Sequence, residues 1–96
     1  MSSTEKYVKR IEPNVPSAVL HLRNVPLEAV DTELLILARN FGKVKNLFRL
    51  PGKTQGFLEL ESIQTATQML KHYQVSPATV GQNMIYLQYS QHQSLV

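Results

Sequence analysis

The fold is decided by the stretch VKNLFRLPGKTQGFLEL, residues 44–60. It contains two apolar-rich segments, Val44–Leu50 and Lys53–Leu60, separated by Pro51-Gly52. Because this pair is preferred at the central positions of a type II turn, the stretch predicts two strands folded directly onto each other. Side chains alternate between the two faces of a strand. In the second segment, alternation directs Gly56, Leu58 and Leu60 toward a core and directs these side chains outward: Lys53, Gln55, Phe57 and Glu59.

A strand and a helix are predicted on the amino-terminal side of this hairpin. The strand Ala18–Arg23 alternates so that Leu20 and Leu22 face the core, while His21 and Arg23 face outward. The helix begins near two candidate N-caps and ends where a glycine follows its last apolar residue. The residues that define it are Asp31 and Thr32 as caps, Leu34, Leu37, Ala38 and Phe41 at helical spacing, and Gly42 as terminator.

A second helix and a last strand are predicted on the carboxy-terminal side. Ser62 caps the helix, which runs to about Tyr73. Its apolar stripe comprises Ile63, Ala66, Met69, Leu70 and Tyr73. A loop over Val75–Asn83 leads to the strand Met84–Tyr89, which buries Ile85, Leu87 and Tyr89 and presents Tyr86, Gln88 and Ser90.

The element order is therefore βαββαβ. Both helices must bury an apolar stripe, and one face of the sheet provides the surface for it. The expected fold is an α+β two-layer sandwich of ferredoxin-like topology, a four-stranded antiparallel sheet with two helices on one face. The other face stays open to water, and function is to be sought there.

The open face of the predicted sheet combines rings, cations and amides. Exposure of an apolar ring to water is unfavourable, so several rings exposed on one face indicate a ligand that covers them. Unpaired bases are such a ligand: they stack on rings, cations neutralise their phosphates and amides bind their edges. If Leu47 faces the helices, Asn46, Phe48 and Leu50 join this face and Arg49 must reach past the edge. The candidate residues are His21, Phe57, Tyr86 and Phe48 as rings, Arg23 and Lys53 as cations, and Gln55, Gln88 and Ser90 as polar groups.

Length and composition allow one such domain. The chain has 96 residues, of which 43% are hydrophobic, a formal net charge of +3 and no cysteine, and its isoelectric point is near 9.4. We expect residues 1–16, which end in two prolines, to be a flexible lead-in, and residues 17–96 to form the domain. The basic residues of the lead-in, Lys6, Lys9 and Arg10, fit a solvated tail better than a phosphate contact. No signal peptide and no membrane-spanning stretch is predicted.

From about Ser17 to Ser90 the chain resembles the RNA-recognition motif. Residues 20–25, LHLRNV, resemble the six-residue motif of its first strand, and residues 53–60, KTQGFLEL, resemble the eight-residue motif of its third. Two departures stand out, because His21 and Gln55 occupy positions that are usually aromatic. In four features this chain is similar to the polypyrimidine tract-binding protein group, especially its first RNA-binding domain. These features are the two departures, the short hairpin, and the ending IYLQYSQH, residues 85–92.

The resemblance implies binding of short, CU-rich single-stranded RNA by a monomeric domain. It implies a nuclear regulator of RNA processing such as splicing, and one that can shuttle to the cytoplasm. Since Gln55 replaces a ring, we expect micromolar affinity or weaker. The implied roles are stacking by His21, Phe57 and Tyr86, extension of the platform by Phe48, reading of base edges by Gln88, Ser90 and the backbone near Gln91, and contact with phosphate or a base edge by Arg23, Lys53 and Gln55.

A domain of this topology can also serve as a protein-binding module or as a hydrolase. A protein-binding module would use apolar residues on the outer sides of the helices, such as Leu35, Ile36 or Val80. A hydrolase of the same topology, such as an acylphosphatase, needs a phosphate-cradling loop after the first strand. Residues 24–28, NVPLE, contain no glycine there, and Pro26 lacks a donor. We therefore expect no enzymatic activity, no cofactor and no metal site, and no role for His72 or His92.

Overall fold

The computed structural model describes residues 15–95. Most of the expected lead-in, including Lys6, Lys9 and Arg10, lies outside the described residues. Five strands and two helices follow one another along the chain. They are β1 (Val19–Arg23), α1 (Asp31–Ile36), β2 (Val44–Arg49), β3 (Gln55–Leu60), α2 (Ile63–Val75), β4 (Ala78–Val80) and β5 (Asn83–Tyr89).

The sheet has the strand order β2-β3-β1-β5-β4 with antiparallel neighbours, and both helices contribute to one core on one of its faces. This confirms the predicted two-layer α+β sandwich, with one strand more than expected. Strand β4 lies inside the segment predicted as a loop, where Ala78 pairs with Ile85. Gly81, with a φ of 62°, closes this short hairpin in a backbone conformation that residues with a side chain rarely adopt. Val80 is 5% exposed within it, so its assignment to an outer helical surface was wrong.

The turn between β2 and β3 agrees with the predicted type. Gly52 has a φ of 70°, and the Lys53 amide donates to the Leu50 carbonyl at 3.0 Å. The flanking strands are shorter than predicted, because Lys53 belongs to the turn and β2 ends at Arg49. The Arg49 guanidinium was expected to reach solvent past the edge of the sheet, but it binds the backbone that precedes α1. It donates to the backbone carbonyls of Ala29 and Pro26.

Helix α1 differs from its predicted limits at both ends. Its N-cap is Val30 rather than Asp31 or Thr32, and the Val30 amide donates to the Glu33 carboxylate at 2.9 Å. The α-helix ends at Ile36 rather than Phe41. The amides of Leu37, Ala38 and Arg39 each donate to the carbonyl three positions earlier, so the chain tightens into turns. A Cβ at Gly42 would lie 2.8 Å from Thr65 Cγ2, so this glycine permits close packing against α2.

Helix α2 begins as predicted. The Ser62 hydroxyl accepts from the Thr65 amide at 3.1 Å. Near the other end, the Tyr73 hydroxyl donates to the Leu37 carbonyl at 2.7 Å, and burial raises the pKa of Tyr73. Ile63 departs from the predicted stripe, since it is 42% exposed on the first turn.

The core lies between the helices and the inward face of the sheet. Its members include the strand residues assigned inward by alternation, and these are joined by one buried residue of α1 and three of α2. They are Leu20, Leu22, Leu58, Leu60 and Ile85, with Leu34, Ala66, Met69 and Leu70. Alternation along the strands therefore assigned these side chains correctly, and their partners on the opposite face form the candidate site.

Candidate nucleic-acid interface

Strand register arranges the outer face of the sheet in three parallel rows. The ring row runs through Phe48, Phe57, His21 and Gln88; the arginine row through Gln55, Arg23 and Tyr86; and the glutamate row through Asn46, Glu59, Val19 and Ser90. Side chains that are directly opposite on neighbouring strands have Cβ atoms about 5 Å apart. Each row is therefore a continuous band across the sheet.

The ring row contains a stacked pair of rings at its centre. The ring centroids of His21 and Phe57 are 4.7 Å apart, with an angle of 15° between the planes. Phe48 continues the row on β2 and is 51% exposed. This confirms that Leu47, which packs against the core, faces the helices and leaves Phe48 outside. The row therefore presents the exposed ring of Phe48 on one side of the pair and the side chain of Gln88 on the other.

Gln55 holds one member of this pair in place. His21 Nε2 and Gln55 Oε1 are 2.9 Å apart, so a proton on Nε2 donates to the amide oxygen. The side chain that replaces a usual ring of the resembled motif thus fixes the rotation of the neighbouring imidazole. Gln55 was expected to contact RNA directly, and in this structure its oxygen bonds His21.

The arginine row supplies the positive charge. Arg23 is exposed between half-buried Gln55 and Tyr86, which is 57% exposed. Lys53 is exposed in the turn that precedes β3. Neither cation forms an ion pair with any residue in the range 15–95. Both are free to attract an anionic backbone that crosses the ring row.

Three of the four members of the glutamate row are covered, and only Asn46, on β2, is exposed. Val19 is 0%, Glu59 2% and Ser90 7% exposed, although alternation directs them outward. The cover is the segment Gln91–Leu95, here named the C-terminal strap. Its His92 carbonyl accepts from the Ser17 hydroxyl at 2.6 Å, and its Leu95 amide donates to Glu59 at 3.3 Å. The expectation that Ser90 and Glu59 lie exposed on the open face was therefore wrong.

Glu59 is the buried charge beneath the strap. Its pKa is lowered, first by the hydrogen bond that the Asn46 amide donates at 2.9 Å, against the opposing effect of burial. The Leu95 amide and Lys45, whose Nζ lies 3.7 Å from the carboxylate, lower the pKa further. The carboxylate is thus held ionised between the strap and β2.

Acid is expected to weaken the domain through Glu59. A carboxyl whose pKa is lowered by folding stabilises the native state above its unfolded pKa of about 4.3, and this contribution is lost as the pH falls through the folded value. Wild type should therefore melt above Glu59→Gln at pH 7, and the difference should shrink below about pH 4. Thermal melts of both proteins from pH 7 to pH 3 measure it. A difference that stays constant with pH would contradict this assignment.

Two cavities lie along the ring row. The smaller, of 180 Å³, brings together His21, Phe57, Gln88, Ser90 and Gln91 from the predicted set, together with Tyr89 and His92. The larger, of 390 Å³, lies beside Phe48 and Phe57 and is completed by Leu50, His92, Ser94 and Leu95. Tyr86, Arg23 and Lys53 line neither cavity and belong to the adjoining row or turn.

His92 is the residue that sequence reasoning missed. Its ring lies edge-on to Phe57, with centroids 5.4 Å apart and an angle of 81° between the planes, and it lines both cavities. It follows the last strand in a segment without periodicity, so alternation could not place it. The contact with Ser17, 75 residues away in sequence, brings it onto the sheet.

Within residues 15–95, no cluster of three or more His, Cys, Asp or Glu side chains is arranged to bind a metal ion. No helix in that range has the length and apolar character needed to span a membrane.

Comparison with known proteins gives a consistent result. No family model matches the chain. It is 44% identical over 85 residues to polypyrimidine tract-binding protein homolog 2 of Arabidopsis thaliana, an alignment that covers 84% of this chain and 20% of that protein. The chain thus spans about a fifth of the length of this relative.

Solved structures match the fold at low sequence identity. The RRM domain of S. pombe Puf1 superposes with a TM-score of 0.65 at 16% identity, covering 77% of this chain and 99% of that one. The RRM3 domain of Gbp2 gives a TM-score of 0.67 at 15% identity, covering 91% and 90%. The chain thus has the fold of RNA-recognition-motif domains and is similar in sequence to part of a polypyrimidine tract-binding protein homolog.

Proposed function

We propose that the ring row binds short, single-stranded, pyrimidine-rich RNA. The observation that carries the proposal is the stacked, half-buried His21–Phe57 pair beside the exposed cation Arg23, which has no ion-pair partner within residues 15–95. Each base that stacks on such a ring contributes about 1–3 kcal/mol, and the cation attracts the phosphates. A sheet face that served folding alone would have polar residues at these positions.

The preference for pyrimidines is supported by the polar lining of the smaller cavity. Beside His21 this cavity is lined by the polar residues Gln88, Ser90 and Gln91. Such groups pair with the Watson–Crick edge of an unstacked base. The similarity to a polypyrimidine tract-binding protein homolog supports the same preference.

The proposed role is that of one module in a regulator of RNA processing, such as splicing. The module acts as a monomer in a nuclear protein that also reaches the cytoplasm. Because Gln55 occupies a position that often carries a ring, affinity is micromolar or weaker for this domain alone. The chemistry is binding without catalysis.

Affinity measurements test the preference directly. Fluorescence anisotropy with labelled CU-rich and A-rich hexanucleotides should give a micromolar Kd for the first and binding at least about tenfold weaker for the second, a difference of about 1.4 kcal/mol. Equal affinities for the two strands, falling together and steeply with salt, would show that charge alone drives binding and would contradict the proposal.

Protein binding through the helical side is the second candidate. A groove of 680 Å³ separates α1 from β2, and its lining includes Leu35, Ile36 and Leu47. Ile36 is 52% exposed, and the outer edge of β2 has no strand partner within residues 15–95. An open strand edge beside apolar side chains suits an extended peptide.

A further inference from the structure

We propose that Gln55 is a positioning residue of the RNA site, which fixes the imidazole of His21 so that its Nδ1 atom is left to accept a hydrogen bond from the RNA. This inference rests on the RNA binding proposed above. It names the kind of RNA group that His21 binds, an N–H donor such as the Watson–Crick edge of a pyrimidine offers. It also gives Gln55 a role that acts through His21 and not through direct contact with the RNA.

Two contacts restrict the His21 ring, and each restricts a different freedom. Stacking on Phe57, with centroids 4.7 Å apart and an angle of 15° between the planes, fixes the plane of the imidazole. Stacking leaves the edges undetermined, because a half-turn about the Cβ–Cγ bond keeps the plane and exchanges ring nitrogens with ring carbons. The contact between Nε2 and Gln55 Oε1, at 2.9 Å, removes this second freedom. The ring therefore has one orientation before any ligand arrives.

The same hydrogen bond fixes the position of the imidazole proton. An amide oxygen has no proton to donate, so Nε2 carries the proton of the neutral ring and Nδ1 is the acceptor. Nδ1 has no hydrogen-bond partner within residues 15–95. His21 also lines the smaller cavity, together with Gln88 and Ser90. A base that enters this cavity and offers an N–H group would satisfy the one nitrogen of the ring that lacks a partner.

The Gln55 oxygen is committed to His21 although a cation lies next to it. Arg23 is directly opposite Gln55 on β1, yet the Arg23 guanidinium forms no hydrogen bond within the described range 15–95. His21 and Gln55 are both half-buried, so water competes weakly for the bond between them. An aromatic residue in place of Gln55 would supply stacking surface, whereas Gln55 supplies the orientation of its neighbour. Such preorganisation lowers the entropy cost of binding.

The position of the proton can be measured by NMR in the whole chain. Long-range proton–nitrogen correlation spectra at about pH 8, where an ordinary imidazole is neutral, should show the His21 proton on Nε2. In Gln55→Met, which keeps the length of the side chain and removes the amide, the two ring-nitrogen shifts should move toward each other, because both tautomers become populated. Addition of the CU-rich hexanucleotide to wild type should shift Nδ1 more than Nε2. A wild-type proton on Nδ1, or an RNA-induced shift confined to Nε2, would overturn the proposal.

A cycle of variants separates positioning from direct contact with the RNA. Gln55→Met alone should weaken binding of the CU-rich hexanucleotide about three- to tenfold, as expected for the loss of about one hydrogen bond. In a His21→Phe background, which keeps a stacking ring but has no nitrogen to orient, the same change should alter Kd less than about twofold. Equal losses in both backgrounds would show that Gln55 contacts the RNA directly. An unchanged Kd with only a lower melting temperature would show that the bond serves folding alone, and either result would overturn the proposal.

Phe57→Ala separates this inference from the function on which it rests. Weaker binding by Phe57→Ala, together with unchanged binding by Gln55→Met, would overturn the role of Gln55 and leave RNA binding by the ring row standing. A wild-type chain that binds neither CU-rich nor A-rich RNA would overturn both.

Discussion

Leu58→Ala should lower the free energy of unfolding by about 2–5 kcal/mol. Leu58 is 0% exposed on the inward face of the central strand β3. It lies opposite Leu20 on one neighbouring strand and Leu47 on the other, so a truncated side chain leaves a cavity with little freedom to collapse. Urea denaturation followed by circular dichroism measures the change.

The adjacent residue in the same strand provides the control. Phe57→Ala removes a larger side chain from the opposite, solvent-facing side of β3, and its cost in stability should be clearly smaller. A loss below about 1 kcal/mol for Leu58→Ala, or a larger loss for Phe57→Ala, would mean that the two faces of β3 have been assigned the wrong way round.

Phe57→Ala should instead weaken binding of CU-rich RNA by about 1–3 kcal/mol, or about 5- to 150-fold in Kd. The ring is half-buried between His21 and His92 and lines both cavities of the ring row. Its removal takes away stacking surface and also leaves His21 without its stacked partner. Anisotropy titrations of the folded variant measure the loss.

A variant on the helical side controls for indirect effects. Ile36 is exposed on α1, beside the groove and away from the ring row, so Ile36→Ala should leave the Kd for RNA within about twofold. RNA binding that falls with Ile36→Ala and survives Phe57→Ala would transfer the site to the helical side.

The sheet could be predicted from the sequence because the patterns that define it are strong and involve residues that are close together in the chain. Pro51-Gly52 predicts a turn that needs a positive φ, and Gly52 has one. Two-residue alternation then assigns the faces of β3, whose inward Leu58 and Leu60 are found in the core, and it places Leu47 of β2 against that core. Ser62 caps α2 for an equally local reason, since its hydroxyl meets an amide three residues later.

The misassignments arise where long-range contacts decide the outcome. Strand β4 has three residues, too few for alternation to be recognised, and it exists because Ala78–Val80 pairs with Asn83–Ile85. Helix α1 ends early where its last turn tightens, although the apolar spacing continues to Phe41.

A long-range contact also decides the burial of the covered residues in the glutamate row. Glu59 and Ser90 follow the alternation of their strands, and they are buried by the strap, which reaches the sheet through Ser17. The partner of Ser17 lies 75 residues away, and no periodicity in the sequence reports such a contact. His92 gained its place in the site by the same contact. The candidate residues on the face of the sheet could be predicted from the sequence. The residues at the border of that face, such as His92, could be identified only from the structure.

An NMR amide-shift titration with short CU-rich and A-rich RNAs tests the central claim most directly. If the outer face of the sheet binds pyrimidine-rich RNA, we expect amide shifts at Arg23, Phe57, Gln88 and Ser90 with the CU-rich strand and small changes with the A-rich strand. No shifts with either strand, or shifts confined to Leu35 and Ile36 on the helical side, would contradict it.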